Sequence, residues 1–209
     1  MNLTDAEKAY RQIKKQIIST KLSPGAVISE SDLMSELRLG RTPIREAIKQ
    51  LQANNLVTIT PRRGMFVAEI TFTDLTKIFE VRLVIEPLAA RLAALRITGS
   101  QLDQLRQLAE TYKDANQGDK ETLISLDSNF HSLLAAATHN KFLQKDLQHY
   151  YNLSLRIWYV VIQSAQSEDI KVGSHLEILK EIEAGNAEGA GVCMKKHVEE
   201  FHQSVKLYL

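Results

Sequence analysis

Cysteine is all but missing from this chain: Cys193 stands alone among 209 residues. No intrachain disulfide can form, and a reducing cytoplasm is the expected compartment. The opening MNLTDAEKAYRQIKKQ lacks the hydrophobic core of a secretory signal, and no apolar run approaches the roughly 20 residues that cross a bilayer. A membrane is therefore not an expected partner. A large net charge is missing too, at +1, but the balance is uneven. Residues 1–70 hold 11 Lys and Arg against 7 Asp and Glu, whereas residues 71–209 hold 15 against 18. A partner rich in phosphate would be met by the first part. The length suits two modest domains or one larger one. A boundary falls near AEITF at 68–72, which has no run of Gly, Ser or Pro, so domains at 1–70 and 71–209 are expected to constrain each other.

Residues 22–67 carry the most specific pattern: a helix-turn-helix followed by a two-stranded wing. In the second helix Thr42 is placed as the N-cap with Pro43 at the first helical position, where its missing N–H costs nothing. Arg41 and Arg45 flank that helix start. An arginine there can give guanine O6 and N7 a bidentate pair of hydrogen bonds. Ile44, Ala47, Ile48 and Leu51 recur at helical spacing and form an apolar face to pack on Leu33, Met34 and Leu37. Leu56 to Thr60 is β-prone, Pro61-Arg62-Arg63-Gly64 is a turn, and Met65 to Val67 returns. Two arginines beside a glycine at a hairpin tip suit close approach to a phosphate or groove edge.

This segment resembles the N-terminal domain of the GntR family of bacterial transcription regulators, whose signature has the form S-R-T-P-[VI]-R-E-A-[LI]-x-x-L with a wing P-x-R-G-x-F-V. Arg41, Thr42, Pro43, Arg45, Glu46, Ala47, Leu51, Arg63, Gly64, Phe66 and Val67 match. Gly40 departs, standing where the family usually has a hydroxyl that can bond a phosphate. The resemblance implies a homodimer on a short palindromic operator, with Arg41, Thr42, Arg45, Arg63 and Gly64 at double-stranded DNA, and the hairpin tip adds Arg62.

Beyond residue 71 the pattern is helical, and the expected fold is mainly α: the winged helix-turn-helix, then an all-α antiparallel bundle of about six helices near 72–97, 100–116, 119–138, 141–164, 168–184 and 186–208. Thr71 with Asp74, and Ser100 with Asp103, read as capping signals. The 72–97 helix has two apolar stripes, one through Ile78, Val81, Ile85, Leu88 and Leu92 and the other through Leu75, Phe79, Ala89 and Ala93, so it needs cover on two sides. Arg82 and Glu86 interrupt the second stripe one turn apart and can pair with each other.

Asp127 and His131 lie four apart and project from one helix face, while His175 and His197 lie on the apolar faces of two further helices. A carboxylate and three imidazoles suit Zn, Ni, Mn or Fe(II) and leave coordination positions open. An isolated inward histidine is more often a hydrogen-bonded core residue, so spacing alone leaves both readings open. The segments FEVRLVIEPLAARLAA, LDSNFHSLLAAATHNKFL and HLEILKEIEAGNAEGA, with the His197 region, are similar to the FCD domain, the helical C-terminal half of one large GntR subfamily. The resemblance implies that Asp127, His131, His175 and His197 hold a divalent transition metal, and that His139, His149 and His202 do not. It also implies a small carboxylic acid effector coordinated through the metal. Arg82 is a candidate second clamp, with pairing to Glu86 the alternative. Asn140 and Arg156 are weaker candidates, Arg156 sharing a polar, solvated-looking stripe with His149, Asn152 and Gln163. Phe130, Trp158 and Tyr159 are candidates to line the cavity or simply core. Gly189 and Gly191 each lower helix propensity by roughly 1 kcal/mol relative to Ala, so a loose turn is expected before His197.

Three functions follow from these readings. The first is a regulator whose operator affinity answers to an organic acid at a fixed metal. The second is a metalloregulator for which the ion is the signal. The third, a metal-dependent enzyme that activates water, lacks an evident general base and leaves the wing unexplained, so an enzyme is not expected.

Overall fold

A computed structural model describes residues 3–69, 71–114, 120–164 and 175–206. It divides into two compact units, Met1–Phe72 with Leu155–Val160, and Thr73–Ser154 with Val161–Leu209.

The first unit opens with a helix that the sequence reading left out, α1 (Asp5–Ile18). Its start was legible in Thr4 and Glu7, which close a capping box: Glu7 N donates to Thr4 Oγ1 at 3.2 Å and Thr4 N to Glu7 Oε2 at 2.8 Å. Ala9, Ile13 and Ile17, four apart, are buried, and α1 packs chiefly on α3 (Arg41–Ala53). Strand β1 (Val27–Ile28) precedes α2 (Glu30–Leu37), whose N-cap Ser29 accepts from Asp32 N at 3.3 Å. Gly40, not Thr42, is the N-cap of α3 and makes no side-chain bond there. Thr42 and Pro43 are thus inside the first turn, where Pro43 still forfeits nothing because the first four N–H groups of a helix have no internal partner. Ile44, Ala47, Ile48 and Leu51 are buried as their spacing requires.

The wing is three-stranded rather than two-stranded. Strands β2 (Val57–Thr60) and β3 (Gly64–Val67) pair antiparallel with Thr60 opposite Gly64, and β1 pairs on the other side of β3 with Val27 opposite Phe66. Two residues were too short a run to announce β1. The hairpin turns through Arg62 at φ +63° and Gly64 at φ +108°. Gly64 is free to adopt that angle, but a side chain there would be strained.

The second unit holds α4 (Phe72–Arg96), α5 (Gly99–Asp114), α6 (Lys120–Ala137), α7 (Lys141–Ser164), α8 (His175–Glu183) and α9 (Ala187–Lys206). These are the six expected helices, although residues 115–116 of the second, 119 of the third, 168–174 of the fifth and 207–208 of the last lie outside the described residues. Helix α5 packs on α6 and α8, and α8 on α9. The α5 cap is Thr98 with Gln101, two residues before the expected pair: Gln101 N donates to Thr98 Oγ1 and Thr98 N to Gln101 Oε1. Asp103 instead accepts from Arg106 at 3.0 Å. On α4 the stripe of Leu75, Phe79, Ala89 and Ala93 is buried, while on the other stripe Leu88 is 42% exposed. Ile85 and Leu92 pack partly buried against Ala89, Ala135, Leu143 and Leu147.

The glycines of α9 lie beside flexible side chains: a Cβ on Gly191 would meet that of Arg91, and one on Gly189 those of Glu181 and Asn186. Asn186 caps the helix by accepting from Gly189 N at 3.1 Å.

Candidate functional site

All six residues expected at DNA are exposed: Arg41, Thr42 and Arg45 in the first turns of α3, and Arg62, Arg63 and Gly64 at the hairpin tip. The two α3 arginines are not free solvated charges. Arg45 Nε donates to both oxygens of Glu30, at 2.8 and 3.1 Å, and Arg41 Nε stands 4.0 Å from Glu30 Oε2. Glu30 was missed because it sits in the first turn of the preceding helix, where acidic residues are common for reasons of the helix dipole.

In the second unit four buried ligand atoms converge. Asp127 and His131 come from α6, His175 is the first residue of α8, and His197 lies on α9; one ligand atom from each lies within 4.8 Å of every other. His175 Nε2 is 3.1 Å and His131 Nε2 3.8 Å from Asp127 Oδ1, and His131 Nε2 is 3.2 Å from His197 Nε2. With metal–ligand distances of about 2.1 Å, neighbouring donors around one ion are separated by roughly 3.0–3.4 Å. The donor set therefore fits a divalent ion. His175 is buried with its Nε2 toward Asp127 Oδ1. Phe130 and Tyr112 hold that ring, with centroids 4.4 and 4.7 Å away.

Around the ligands runs a polar shell. Tyr151 donates its hydroxyl to Asp127 Oδ2, which leaves Oδ1 facing the imidazoles. Glu86 Oε2 lies 3.2 Å from His131 Nδ1, and Glu86 Oε1 accepts from Arg82 Nε. Arg82 Nη1 donates to Ser154 Oγ at 2.7 Å, and Ser154 to the Tyr151 carbonyl at 2.8 Å. The ring of bonds thus joins α4, α6 and α7 behind the ligands. Carboxylate–imidazole contacts of the Glu86–His131 kind orient metal-binding histidines and raise their basicity.

The electrostatics agree. Burial opposes the charged form of Asp127, but the facing histidines, His131 first, hold its carboxyl well below the usual range. Burial likewise opposes Glu86, and Arg82 with His131 overcomes it, bringing Glu86 down to about 2. His131 is raised, because Asp127 and Glu86 outweigh its desolvation. Burial and Asp127 together push Tyr151 up, so it remains a donor. Arg82 is the counterion of Glu86, while Asp127 is offset by the imidazoles it faces, the same groups that would share a cation with it.

Arg82, a candidate second clamp, pairs with Glu86 and lies behind the ligands. Asn140 is the N-cap of α7, its Oδ1 accepting from Phe142 N and Leu143 N at 3.1 and 3.2 Å. Arg156 is not on a solvated stripe: it is 1% exposed and donates from Nη2 to the Ala68 carbonyl. Burial lowers its pKa to about 10. Asn152 is buried as well, accepting from Gln148; the polar stripe of α7 turned inward because residues 151–158 are buried all round. Phe130 is core against His175, and Trp158 is buried within the 155–160 stretch that groups with the first unit. His139 is exposed, His149 half-buried, and His202 stacks on Phe79 with ring centroids 4.2 Å apart. A pocket bordered by Glu86, His131, Ser132, Gln148 and Tyr151 has a volume of about 10 Å³, room for about one water.

Comparison with known proteins accounts for both halves. The family of bacterial regulatory proteins, gntR family, matches residues 5–67, and the FCD domain matches residues 77–200. The uncharacterized HTH-type transcriptional regulator YdhC of Bacillus subtilis (strain 168) is 30% identical over 90% of this chain and 84% of its own. The HTH-type transcriptional repressor RspR of Escherichia coli (strain K12) is 26% identical over 96% of this chain and 88% of its own. The chain shares its fold with McbR/YncC of E. coli, at a TM-score of 0.87 and 21% identity over 99% of both chains. A GntR transcriptional regulator from Rhodococcus sp. RHA1 gives a TM-score of 0.76 at 25% identity over 98% of both. Among the described residues no helix is long and apolar enough to cross a membrane.

Proposed function

The chain belongs to the GntR family of bacterial regulatory proteins and carries its FCD domain, and from that premise we propose that a small organic acid at a metal site in the helical half sets operator affinity. It is a DNA-binding transcription regulator, as its relatives are, and not an enzyme. In the proposed division residues 1–70 bind double-stranded DNA, and residues 71–209 bind ion and effector and join two chains into a homodimer on a short palindrome. Work on chromosomal operators sets it in the cytoplasm.

The observation that carries the reading is the convergence of Asp127, His131, His175 and His197 on one buried point. A divalent ion held by these four keeps positions open to which a carboxylate oxygen can bind. Glu86 holds the His131 proton on Nδ1 so that Nε2 presents its lone pair, and Tyr151 holds Asp127 by its other oxygen. Helix α4 carries Glu86 and begins within a few residues of the end of β3, so a shift of α4 on binding would reach the wing through a short stretch of chain.

The test begins with metal content. Protein purified without chelator or metal-affinity tag is expected to contain about one transition-metal ion per chain, sharply reduced in His175→Ala and His197→Ala and unaltered in His149→Ala. Absence of any metal in the wild type, with none taken up on titration, would overturn the reading and leave four polar core residues. The small pocket beside His131 favours a second reading, in which the ion itself is the signal. Exchange of the ion on dialysis, with operator affinity following metal concentration in the absence of any acid, would establish that one instead.

A further inference from the structure

We propose that Glu30 is a positioning residue for operator readout: by accepting the Nε–H of Arg45 it aims the two terminal guanidinium nitrogens at one guanine. Glu30 opens α2, and its carboxylate grips Arg45 through Nε alone, at 2.8 and 3.1 Å. Nη1 and Nη2 remain available, and they are the fork that matches guanine O6 and N7. The side chain of Glu30 is 21% exposed, whereas that of Arg45 is 60% exposed. The acid is thus the seated partner and the arginine the projecting one.

An acidic group on a surface that meets phosphates is unfavourable by itself, and an exposed ion pair adds little to stability. Its benefit lies in order. An arginine samples many rotamers, and freezing them on DNA costs affinity unless a neighbour has restricted them beforehand. Arg41, 4.0 Å from the second oxygen, is drawn toward the same carboxylate, so Glu30 sets the spacing of both cations at the helix start. The inference rests on the reading that α3 enters the major groove.

The experiment uses the full chain and a duplex recovered by the wild type from a random library, together with the same duplex carrying each guanine replaced in turn and a scrambled duplex. Glu30→Ala is expected to lower discrimination about tenfold at one base pair, to bind the scrambled duplex at least as tightly as wild type, and to melt as wild type does. Glu30→Gln keeps an oxygen for the Nε–H and is expected to keep most of the discrimination. Arg45→Ala should lose discrimination at the same base pair. If Glu30→Ala weakens selected and scrambled duplexes alike, or acts at a different base pair from Arg45→Ala, Glu30 does not position Arg45. If Arg45→Ala leaves all discrimination intact, the groove reading fails as well, and the two failures are told apart by that variant.

Discussion

Glu86 Oε2 lies 3.2 Å from His131 Nδ1 while its other oxygen is taken by Arg82, so one buried carboxylate both faces an imidazole and anchors a buried cation. Nε2 of the same ring stands toward Asp127 and His197, and a proton kept on Nδ1 by Glu86 would leave the Nε2 lone pair there for a metal. Glu86→Gln removes the charge that raises the basicity of His131, and the expected effect is a loss of metal affinity of roughly 10- to 100-fold. Competition against a chromogenic chelator measures it. The same change leaves Arg82 buried without a counterion, so the melting temperature should fall as well. Wild-type metal affinity in the Glu86→Gln protein would mean that His131 is oriented by something else.

How far the sequence reached depends on whether a signal was periodic or pairwise. Long helices with apolar stripes were legible almost to their ends, and Asp127 with His131 shares a helix face by spacing alone. Glu86 was visible as a charge in need of a partner, but a spacing of four pointed only to Arg82; its second partner, His131, is 45 positions away and needed the fold. Tyr151, Ser154 and Glu30 had no such mark, because a hydroxyl or a carboxylate on a helix is usually solvated. Arg156 misled for the same reason: the polar stripe of α7 looked like an outer face, yet it lies buried, with its guanidinium on the Ala68 carbonyl. Thr42 looked like a cap because threonine usually is one, and Gly40 took the place with no side chain at all.

Opposite pH responses are expected with and without metal. In chelator-treated protein the folded pKa of His131 is raised above its ordinary 6.5. A raised pKa contributes stability that is full below the unfolded value and is lost as pH rises through the folded one. Metal-free protein should therefore melt lower at about pH 8 than at about pH 6. Ligation requires the deprotonated imidazole, so metal binding strengthens over the same interval and the loaded protein should melt higher at the upper pH. Melting curves at several pH values with chelator and with added zinc test this. Parallel responses in the two series would argue against His131 as a ligand.

Gly40→Ser should strengthen the recognition helix. The backbone at Gly40 has φ −70°, an extended conformation open to any residue, and a Cβ there would meet Pro43 Cδ at an ordinary 3.8 Å. Serine can then accept a backbone N–H in the first turn of α3, where glycine accepts none, a gain of a few tenths of a kcal/mol. A small rise in melting temperature and tighter operator binding are expected, the latter because the hydroxyl can also meet a phosphate. By contrast Arg62→Ala, at the exposed hairpin tip, should weaken binding evenly across sequences and flatten the salt dependence. An Arg62→Ala effect confined to the operator would instead make it a base-reading residue.

An effector can shift operator affinity only by favouring one conformation over another, and a tenfold shift requires at least a tenfold preference between the two. The pocket beside His131 holds about 10 Å³, too little for an organic acid, so an acid that binds there selects a conformation in which Glu86, Gln148 and Tyr151 have drawn apart. Those residues belong to α4 and α7, and Arg82 ties the same two helices through Ser154. Arg82→Ala removes that tie along with the counterion of Glu86, so its effect on acid binding should exceed its effect on metal content. Titration with short mono-, di- and hydroxycarboxylic acids, read by fluorescence anisotropy of a labelled operator, should find one that shifts wild-type affinity. The shift should vanish in Asp127→Ala and His131→Ala proteins that still melt cooperatively and still bind the operator. A response that survives removal of the metal from folded protein would move the sensing site away from these four ligands while leaving the DNA-binding assignment untouched.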